Sequence, residues 1–284
     1  MSKILVITGR GGTGKTTLAA LAARFLPSRK LLVDADPDES LAAMLGADLA
    51  ASGSKSVSEI LYDIQGGKTP EELVAMPLPD KIQYLLHFSC LYEGNGFDLV
   101  TLGTKWTRGC YCAPNDVLRA LVPQLAGNYD FTIIDSPAGI EHLNRQLVSQ
   151  VDDILAVVDS SAKSVRNTEC IRDLASAIAF RYENLYVVAN YRCGAEDEER
   201  FRSIRGARFI GRIEKDEQVA RFDTQGRSLL ELPEDSPACR SARRVLEKAG
   251  YLTSTPTVSH ISRTSDPKTS QGGACSHNET CNQR

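Results

Sequence analysis

Short apolar runs alternate with longer amphipathic stretches along this 284-residue chain. Such runs are typical of strands buried in a parallel sheet, and the stretches between them are long enough for crossover helices. The pattern therefore predicts an α/β fold, with a mostly parallel twisted sheet flanked by helices on both faces. The predicted strands are residues 4–7, 30–33, 97–103, 129–135, 153–158, 185–189 and 207–211.

The periodicity also divides the chain into regions. Residues 1–250 are predicted to form one domain, in which 46–96 is an insertion over the sheet edge without an assigned role. From residue 251 the composition changes to Ser, Thr, Pro, Asn and Gln, so 251–284 is predicted to be a disordered polar tail. The tail carries Cys275, His277 and Cys281, which are either a weak metal site or incidental thiols.

The first apolar run leads into a glycine-rich stretch, GRGGTGKTT at 9–17, and then into a helix pattern of small residues. Strand, glycine loop and helix together predict a P-loop rather than a turn that binds nothing, because backbone N–H groups and the helix N-terminus would surround phosphate oxygens. Lys15 would reach the β- and γ-phosphates, and the Thr16 hydroxyl would hold Mg²⁺. The predicted nucleotide-binding residues of the loop are Gly11, Gly12, Thr13, Gly14, Lys15, Thr16 and Thr17.

Three further predicted strands end in polar residues, at the sheet edge where ligands bind in open α/β folds. Asp36 follows the second strand and is placed near the γ-phosphate, orienting water; an Asp-rich surface turn is the alternative. Asp135 ends the fourth strand as a partner of Mg²⁺. Asn190 is assigned to adenine recognition, with a turn amide as the alternative. Gly139, in the turn after Asp135, could aim a backbone N–H at the γ-phosphate as part of a switch loop.

Cys110 and Cys112 lie two residues apart, just ahead of a predicted helix. A helix N-terminus lowers thiol pKa values and makes thiolates available to a metal. A tetrahedral site needs four soft ligands, so two thiolates are not enough, and a second copy of the loop across a twofold axis would supply the rest. The pair therefore suggests a metal held at a homodimer interface, with buried structural cysteines or a redox pair as alternatives.

Net charge and composition narrow the classes of function expected for this protein. The formal net charge of −3 gives no sign of a nucleic-acid surface, and no stretch is long and apolar enough to predict a membrane span. The N-terminus enters a core strand without a signal-peptide pattern, so a cytoplasmic location is expected. Eight cysteines in a reducing compartment are then expected to be mostly free thiols or metal ligands.

The stretch 9–17 resembles the deviant P-loop of the MinD/ParA-like ATPases. In that family a basic residue near the start of the loop reaches the phosphates of the partner subunit. The family usually has Lys at that position, and this chain has Arg10, which keeps the charge and adds a bidentate fork. The resemblance implies ATP hydrolysis in a homodimer bridged by nucleotide, with Arg10, Lys15 and Asp36 as the catalytic residues.

Within the family, GCYC at 109–112, DADPD at 34–38 and AGIEHL at 138–143 look like the CooC-type maturation factors of nickel carbon monoxide dehydrogenase. The resemblance covers about residues 1–250. It implies an ATP-dependent dimerising metallochaperone that supports nickel insertion into carbon monoxide dehydrogenase or a related enzyme such as acetyl-CoA synthase. ATP, Mg²⁺ and Ni²⁺ or Zn²⁺ would be its cofactors, and neither nucleic acid nor membrane would be a partner.

Three other functions use the same P-loop. A partitioning or positioning ATPase of the ParA/MinD type would need a basic patch or an amphipathic C-terminal helix, and the tail here is polar and unpatterned. An iron–sulfur carrier ATPase would place single cysteines on separate loops, and no cysteine lies between Cys112 and Cys170. A binding module without hydrolysis would result if Asp36 is not placed at the γ-phosphate.

Overall fold

The computed structural model describes residues 2–27, 29–106, 108, 110–139 and 147–253. The predicted tail beyond 253, which carries Cys275, His277 and Cys281, lies outside these residues, and so does part of the predicted switch loop.

Eight strands occur among the described residues. They are β1 (Lys3–Gly9), β2 (Lys30–Asp34), β3 (Tyr92–Glu93), β4 (Asp98–Thr101), β5 (Phe131–Asp135), β6 (Gln150–Val158), β7 (Arg181–Ala189) and β8 (Arg208–Arg212).

Helices connect most of these strands, and two short 3₁₀ turns lie at Glu71–Leu73 and Leu229–Glu231. The α-helices in the described part of the chain are α1 (Lys15–Phe25), α2 (Ser40–Leu45), α3 (Leu49–Ser52), α4 (Val57–Gln65), α5 (Leu78–Ser89), α6 (Cys112–Ala126), α7 (Ala162–Ala177), α8 (Ala195–Arg202), α9 (Glu217–Thr224) and α10 (Pro237–Lys248).

The eight strands form one sheet in the order β3-β4-β2-β5-β1-β6-β7-β8, and only the β3–β4 pair is antiparallel. The predicted α/β fold with a mostly parallel sheet is therefore confirmed. The chain places β5 on one side of β1 and then crosses to place β6 on the other side. Ligands bind in open α/β sheets at the carboxyl ends of strands where the order reverses in this way, and the P-loop follows β1 at this point.

Side chains along the central strands alternate between two hydrophobic cores, one on each face of the sheet. In β1, Leu5 and Ile7 pack into the core that contains α1, α2 and α10, while Val6 packs into the core that contains α4, α5, α6 and α7. Because both faces are covered, the central strands consist almost entirely of apolar residues, which is why the sequence pattern identified them.

The predicted insertion, residues 46–96, covers one edge of the sheet. It contains α3, α4 and α5 and ends in β3, which pairs with β4. Ser56 begins α4 with a reciprocal capping box, in which its hydroxyl accepts from the Glu59 N–H and the Glu59 carboxylate accepts from the Ser56 N–H. The Ser58 N–H donates to the Leu102 carbonyl at 2.9 Å, so the helix start lies close to the end of β4.

The C-terminal boundary of the fold lies beyond the predicted residue 250. Tyr251 is buried, its ring lies 6.1 Å from the ring of Phe131, and the Lys3 ammonium lies 4.2 Å from its centroid. Residues 251–253 therefore continue the folded unit at the amino edge of the sheet, because an aromatic ring can bury apolar area even where the surrounding sequence is polar. None of the helices in the described ranges has the length and apolar character to cross a bilayer.

Candidate functional site

The glycine-rich loop turns sharply between β1 and α1. Gly12 and Gly14 have φ of 72° and 94°, and Gly14 is the N-cap residue of α1. Gly9 has φ of 149°, and a Cβ there would lie 2.3 Å from the Val157 carbonyl oxygen in the neighbouring strand. Only glycine fits this approach, so the loop can leave β1 close against β6 and present its backbone to a ligand.

Lys15 is buried under the loop, with 7% of its surface exposed. Its ammonium donates to the Arg10 carbonyl at 3.2 Å, and the Thr13 hydroxyl donates to the same oxygen at 2.8 Å. Burial lowers the pKa of Lys15, while the charges of Asp135 and Asp36 act in the opposite direction. The predicted phosphate-binding lysine is thus close to both predicted acidic residues.

Asp34 is a third carboxylate in this group, and the sequence did not single it out. It is fully buried at the end of β2, level with Asp135 in β5, and it accepts from the N–H groups of Asp36 at 3.2 Å and Leu41 at 2.9 Å. Burial, reinforced by the charge of Asp135, raises the pKa of Asp34 to about 8. Asp34 therefore holds the loop that carries Asp36 against the start of α2.

Asp135 and Thr16 have the chemistry of a magnesium site. Burial raises the pKa of Asp135 to about 6, although a hydrogen bond with Thr16 and the charge of Lys15 act to lower it. One carboxylate oxygen, Oδ1, is buried and has no hydrogen-bond partner among the described residues. A hydroxyl and a carboxylate oxygen without a partner fit a small hard cation such as Mg²⁺.

Arg10 binds within its own subunit in this structure. Its guanidinium lies 3.3 Å from the Asp159 carboxylate and donates to the Ser161 hydroxyl at 2.8 Å. Burial acts to raise the pKa of Asp159, but hydrogen bonds from Ser161 and the charge of Arg10 outweigh it, and the pKa lies below its usual range. Sequence reasoning missed both partners, although Asp159 directly follows β6 as another acid at a strand end.

Asn190 lines a cavity of about 430 Å³ beside the P-loop, but the protein already uses both ends of its amide. The side-chain NH₂ donates to the Thr13 carbonyl at 2.8 Å, and the side-chain oxygen accepts from the Arg192 N–H at 2.7 Å. The geometry thus gives Asn190 a role in holding the loop, and adenine recognition stays a prediction. The cavity is also bounded by Gly14, Thr17 and residues of the segment that leads into α9.

Gly139 has φ of 98° and is joined to the end of β1. Its N–H donates to the Gly9 carbonyl at 3.0 Å, and its own carbonyl accepts from the Thr8 hydroxyl at 3.2 Å. The N–H that the sequence assigned to the γ-phosphate is therefore engaged by the P-loop strand in this conformation.

Cys110 and Cys112 are exposed and joined to each other as a disulfide, and Cys112 is the first residue of α6. In this bonded form the pair offers no thiolates, and the metal site at Cys110 and Cys112 stays a prediction. Binding of Ni²⁺ or Zn²⁺ by this pair requires its reduction. Within the described part of the chain no three His, Cys, Asp or Glu side chains converge on a metal position.

Comparison with known proteins identifies the family. Residues 4–229 match the CobQ/CobB/MinD/ParA nucleotide binding domain. The chain belongs to this family. It is a nucleotide-binding P-loop ATPase, as the glycine loop, Lys15 and the acidic residues at the strand ends indicated.

Curated relatives align with 67% to 86% of this family member. An uncharacterized ATP-binding protein of Methanocaldococcus jannaschii is 31% identical over 86% of this chain and 97% of its own length. The carbon monoxide dehydrogenase accessory protein CooC of Rhodospirillum rubrum is 28% identical over 86% of this chain and 95% of its own length. The septum site-determining protein MinD of Thermotoga maritima is 28% identical over 67% and 64%.

Solved structures show the same fold. The MinD cell division protein of Aquifex aeolicus matches with a TM-score of 0.59 and 24% identity, covering 89% of this chain and 99% of that one. MinD of Pyrococcus horikoshii, solved with Mg-ADP, matches with a TM-score of 0.63 and 18% identity, covering 88% and 96%.

Proposed function

We propose that this ATPase is an ATP-dependent, dimerising metallochaperone that supports nickel insertion into carbon monoxide dehydrogenase or a related nickel enzyme. The observation that carries the proposal is the Cys110-Tyr111-Cys112 pair at the start of α6, on the loop that follows β4 at the nucleotide-binding edge of the sheet. The 28% identity with CooC across 86% of the chain supports it.

The nucleotide half of the site rests on four residues. Lys15 and the loop N–H groups would bind the phosphates of ATP, and Asp36 would orient the attacking water. Thr16 and Asp135 would hold Mg²⁺, which supplies positive charge to the phosphate oxygens when bound. In the described chain Lys15 lies within the electrostatic reach of both acids.

The metal half of the site is incomplete in one subunit. A reduced Cys110–Cys112 pair provides two thiolates, and the twofold-related pair of a second subunit would complete a four-thiolate site for Ni²⁺ or Zn²⁺ as cargo. Thiolates accept both metals, so the choice in the cell depends on supply and geometry. Loss of ATP after hydrolysis would let the two subunits separate and release the metal.

Arg10 would have to change partners in this dimer. It is bound to Asp159 and Ser161 of its own subunit and would be released to reach the phosphates of the other subunit. A partly exposed ion pair of this kind is worth about 1 kcal/mol, so the exchange costs little compared with a contact to triphosphate.

The second candidate is a partitioning or positioning ATPase. It is supported by the 28% identity to Thermotoga maritima MinD over 67% of the chain. Such a function does not require the exposed cysteine pair, and this difference separates the two candidates.

Native mass spectrometry of reduced, anaerobically purified full-length protein would test the proposal. Protein would be mixed with Ni²⁺ and either ATP or ADP, comparing wild type with a Cys110→Ser/Cys112→Ser variant. Cys170→Ser is the matched control, because Cys170 is a free, partly exposed cysteine on α7.

One nickel per dimer in wild type and in the control, lost in the double variant while nucleotide binding survives, is the expected result. Equal nickel binding by the double variant, or a monomer with every nucleotide, would contradict the proposal and favour the second candidate.

A further inference from the structure

The start of the cysteine loop is hydrogen-bonded to the loop that carries Asp36. The Thr104 hydroxyl donates to the Pro37 carbonyl at 2.9 Å, and the Thr101 hydroxyl donates to the Glu39 carboxylate at 2.9 Å. The two loops therefore share two side-chain bonds within a few residues of the nucleotide site. We call these the Thr101 and Thr104 contacts.

The backbone around these contacts has little freedom to move separately. Glu39 has φ of 52°, which is uncommon for a residue with a side chain, and the Thr101 contact helps to hold it there. Gly103 has φ of 74°, and a Cβ at this position would lie 2.1 Å from the Ser56 hydroxyl. The Ser58 hydroxyl donates to the Gly103 carbonyl at 3.0 Å, so α4 holds the loop from its other side.

The same stretch contacts the cysteine pair. The Lys105 N–H donates to the Tyr111 hydroxyl at 3.0 Å, and the Lys105 ammonium donates to the Cys110 carbonyl at 2.7 Å. A continuous path of contacts thus runs from Pro37, next to Asp36, through Thr104 and Lys105 to Cys110.

The path begins at the loop that carries Asp36, which lies among charged side chains of the nucleotide site. Asp36 lies near Asp34, Asp135 and Lys15, and the charges of Asp36 and Asp135 both act on the Lys15 ammonium. Arrival of a triphosphate and a divalent cation changes the balance of charge around Asp36 and would shift the loop that carries it. A shift of Pro37 and Glu39 would be passed to Thr104 and Thr101.

We infer that Thr101 and Thr104 are positioning residues that make the exposure of Cys110 and Cys112 depend on the nucleotide. The inference deepens the proposed function, because it gives that metal site a means of regulation by ATP. Neither threonine touches nucleotide or metal in this arrangement; each acts through the loop it holds.

Thiol alkylation of the reduced full-length protein tests the inference without any metal. Rates of modification of Cys110 and Cys112 by N-ethylmaleimide would be measured by peptide mass spectrometry, with and without a non-hydrolysable Mg–ATP analogue. Cys170, a free and partly exposed cysteine on α7, serves as the internal reference. A Thr101→Val/Thr104→Val variant removes both hydroxyls with little change of shape, and Thr101→Ser/Thr104→Ser keeps them.

We expect the analogue to change the wild-type rate at least about fivefold, the lower end of typical coupling between sites. The valine variant should bind the analogue but show a ratio near one, and the serine variant should retain the wild-type ratio. Single Thr104→Val, at an exposed position, replaces the double variant if that fails to fold, and should lower the ratio.

A wild-type ratio near one, or an unchanged ratio in the valine variants, would overturn the inference. The outcome is distinguishable from failure of the metallochaperone proposal. Nucleotide-dependent alkylation in a protein that binds no nickel would refute only the proposed cargo, whereas nickel binding without nucleotide-dependent alkylation would refute only the inferred coupling.

Discussion

Asp36 and Asp135 both act on one buried cation, the Lys15 ammonium, and Asp34 lies level with Asp135 at the carboxyl ends of β2 and β5. Water cannot screen the two innermost carboxylates, because both are buried. In such surroundings a carboxyl group holds its proton more tightly. The charge state of these carboxyl groups should therefore depend on pH in the physiological range.

Unfolding measured against pH tests this. Burial raises the pKa of Asp34 to about 8 and that of Asp135 to about 6, whereas an unfolded aspartate titrates at about 3.9. Between these values the folded state binds more protons, so its free energy of unfolding falls as pH rises. We expect the nucleotide-free, Mg²⁺-free protein to melt at a lower temperature at about pH 8.5 than at about pH 6, by scanning fluorimetry.

Asp34→Asn should flatten this pH dependence, because it removes one buried charge beside Asp135. Asp38→Asn, an exposed neighbour, should leave it unchanged. Equal pH dependence in wild type and Asp34→Asn would contradict the explanation.

Phosphate release tests the role of Asp36. Asp36→Asn should lower ATP hydrolysis at least about 100-fold, because an amide cannot act as the base that orients water, while binding of a fluorescent ATP analogue is retained. Lys15→Ala should lose both activities. Full hydrolysis by Asp36→Asn would exclude this residue from catalysis, and absence of hydrolysis in wild type would favour a binding module.

Among the elements, the junction of β1 and α1 is the one most tightly defined by its sequence. Gly9 passes so close to β6 that a methyl group would collide with the Val157 carbonyl, whereas a Cβ on Gly11 would lie 3.8 Å from its nearest neighbour, the Ala138 Cβ. Two glycines of one motif therefore serve different purposes. Gly9 permits β1 to pack closely against β6, and Gly11 leaves room for a ligand.

Urea unfolding of Gly9→Ala and Gly11→Ala compares these two positions. Gly9→Ala should lower the free energy of unfolding by about 3 kcal/mol, through the clash and the strained backbone. Gly11→Ala, the matched control, should change it by less than about 1 kcal/mol. Similar losses in both variants would show that the approach to Val157 can relax.

Most strands and helices could be predicted from the sequence, because each has its own local pattern of apolar residues. Features that depend on contacts between residues far apart in the chain could not be predicted. β7 begins at Arg181 rather than at 185, because Arg181, Tyr182 and Asn184 extend the strand by pairing with the start of β6. Asp159 binds Arg10 from 149 residues away, and no spacing rule could connect them. The state of the cysteine pair depends on oxidation, which sequence does not encode.

At the scale of the whole molecule, the proposed dimer requires the Arg10 guanidinium of one subunit to reach the phosphates of the other. In the structure this guanidinium is bound to Asp159 of its own subunit. Arg10→Ala should change the free energy of unfolding by less than about 1 kcal/mol, because its bond to Asp159 is partly exposed. It should nevertheless abolish dimerisation with a non-hydrolysable ATP analogue, measured by light scattering after size exclusion. Arg119→Ala, which breaks an exposed helix pair, is the control. A dimeric Arg10→Ala variant would exclude a cross-subunit role.

The packing of Tyr251 on Lys3 brings both ends of the folded unit to the amino edge of the sheet. The P-loop and the cysteine loop lie at the other end of the strands, because both follow the carboxyl ends of parallel strands. Immobilising the protein on a sensor chip through a tether at Thr253 would therefore leave the catalytic edge facing the bulk solution. Real-time detection of nucleotides, metal ions and a second subunit could then be carried out on one oriented surface.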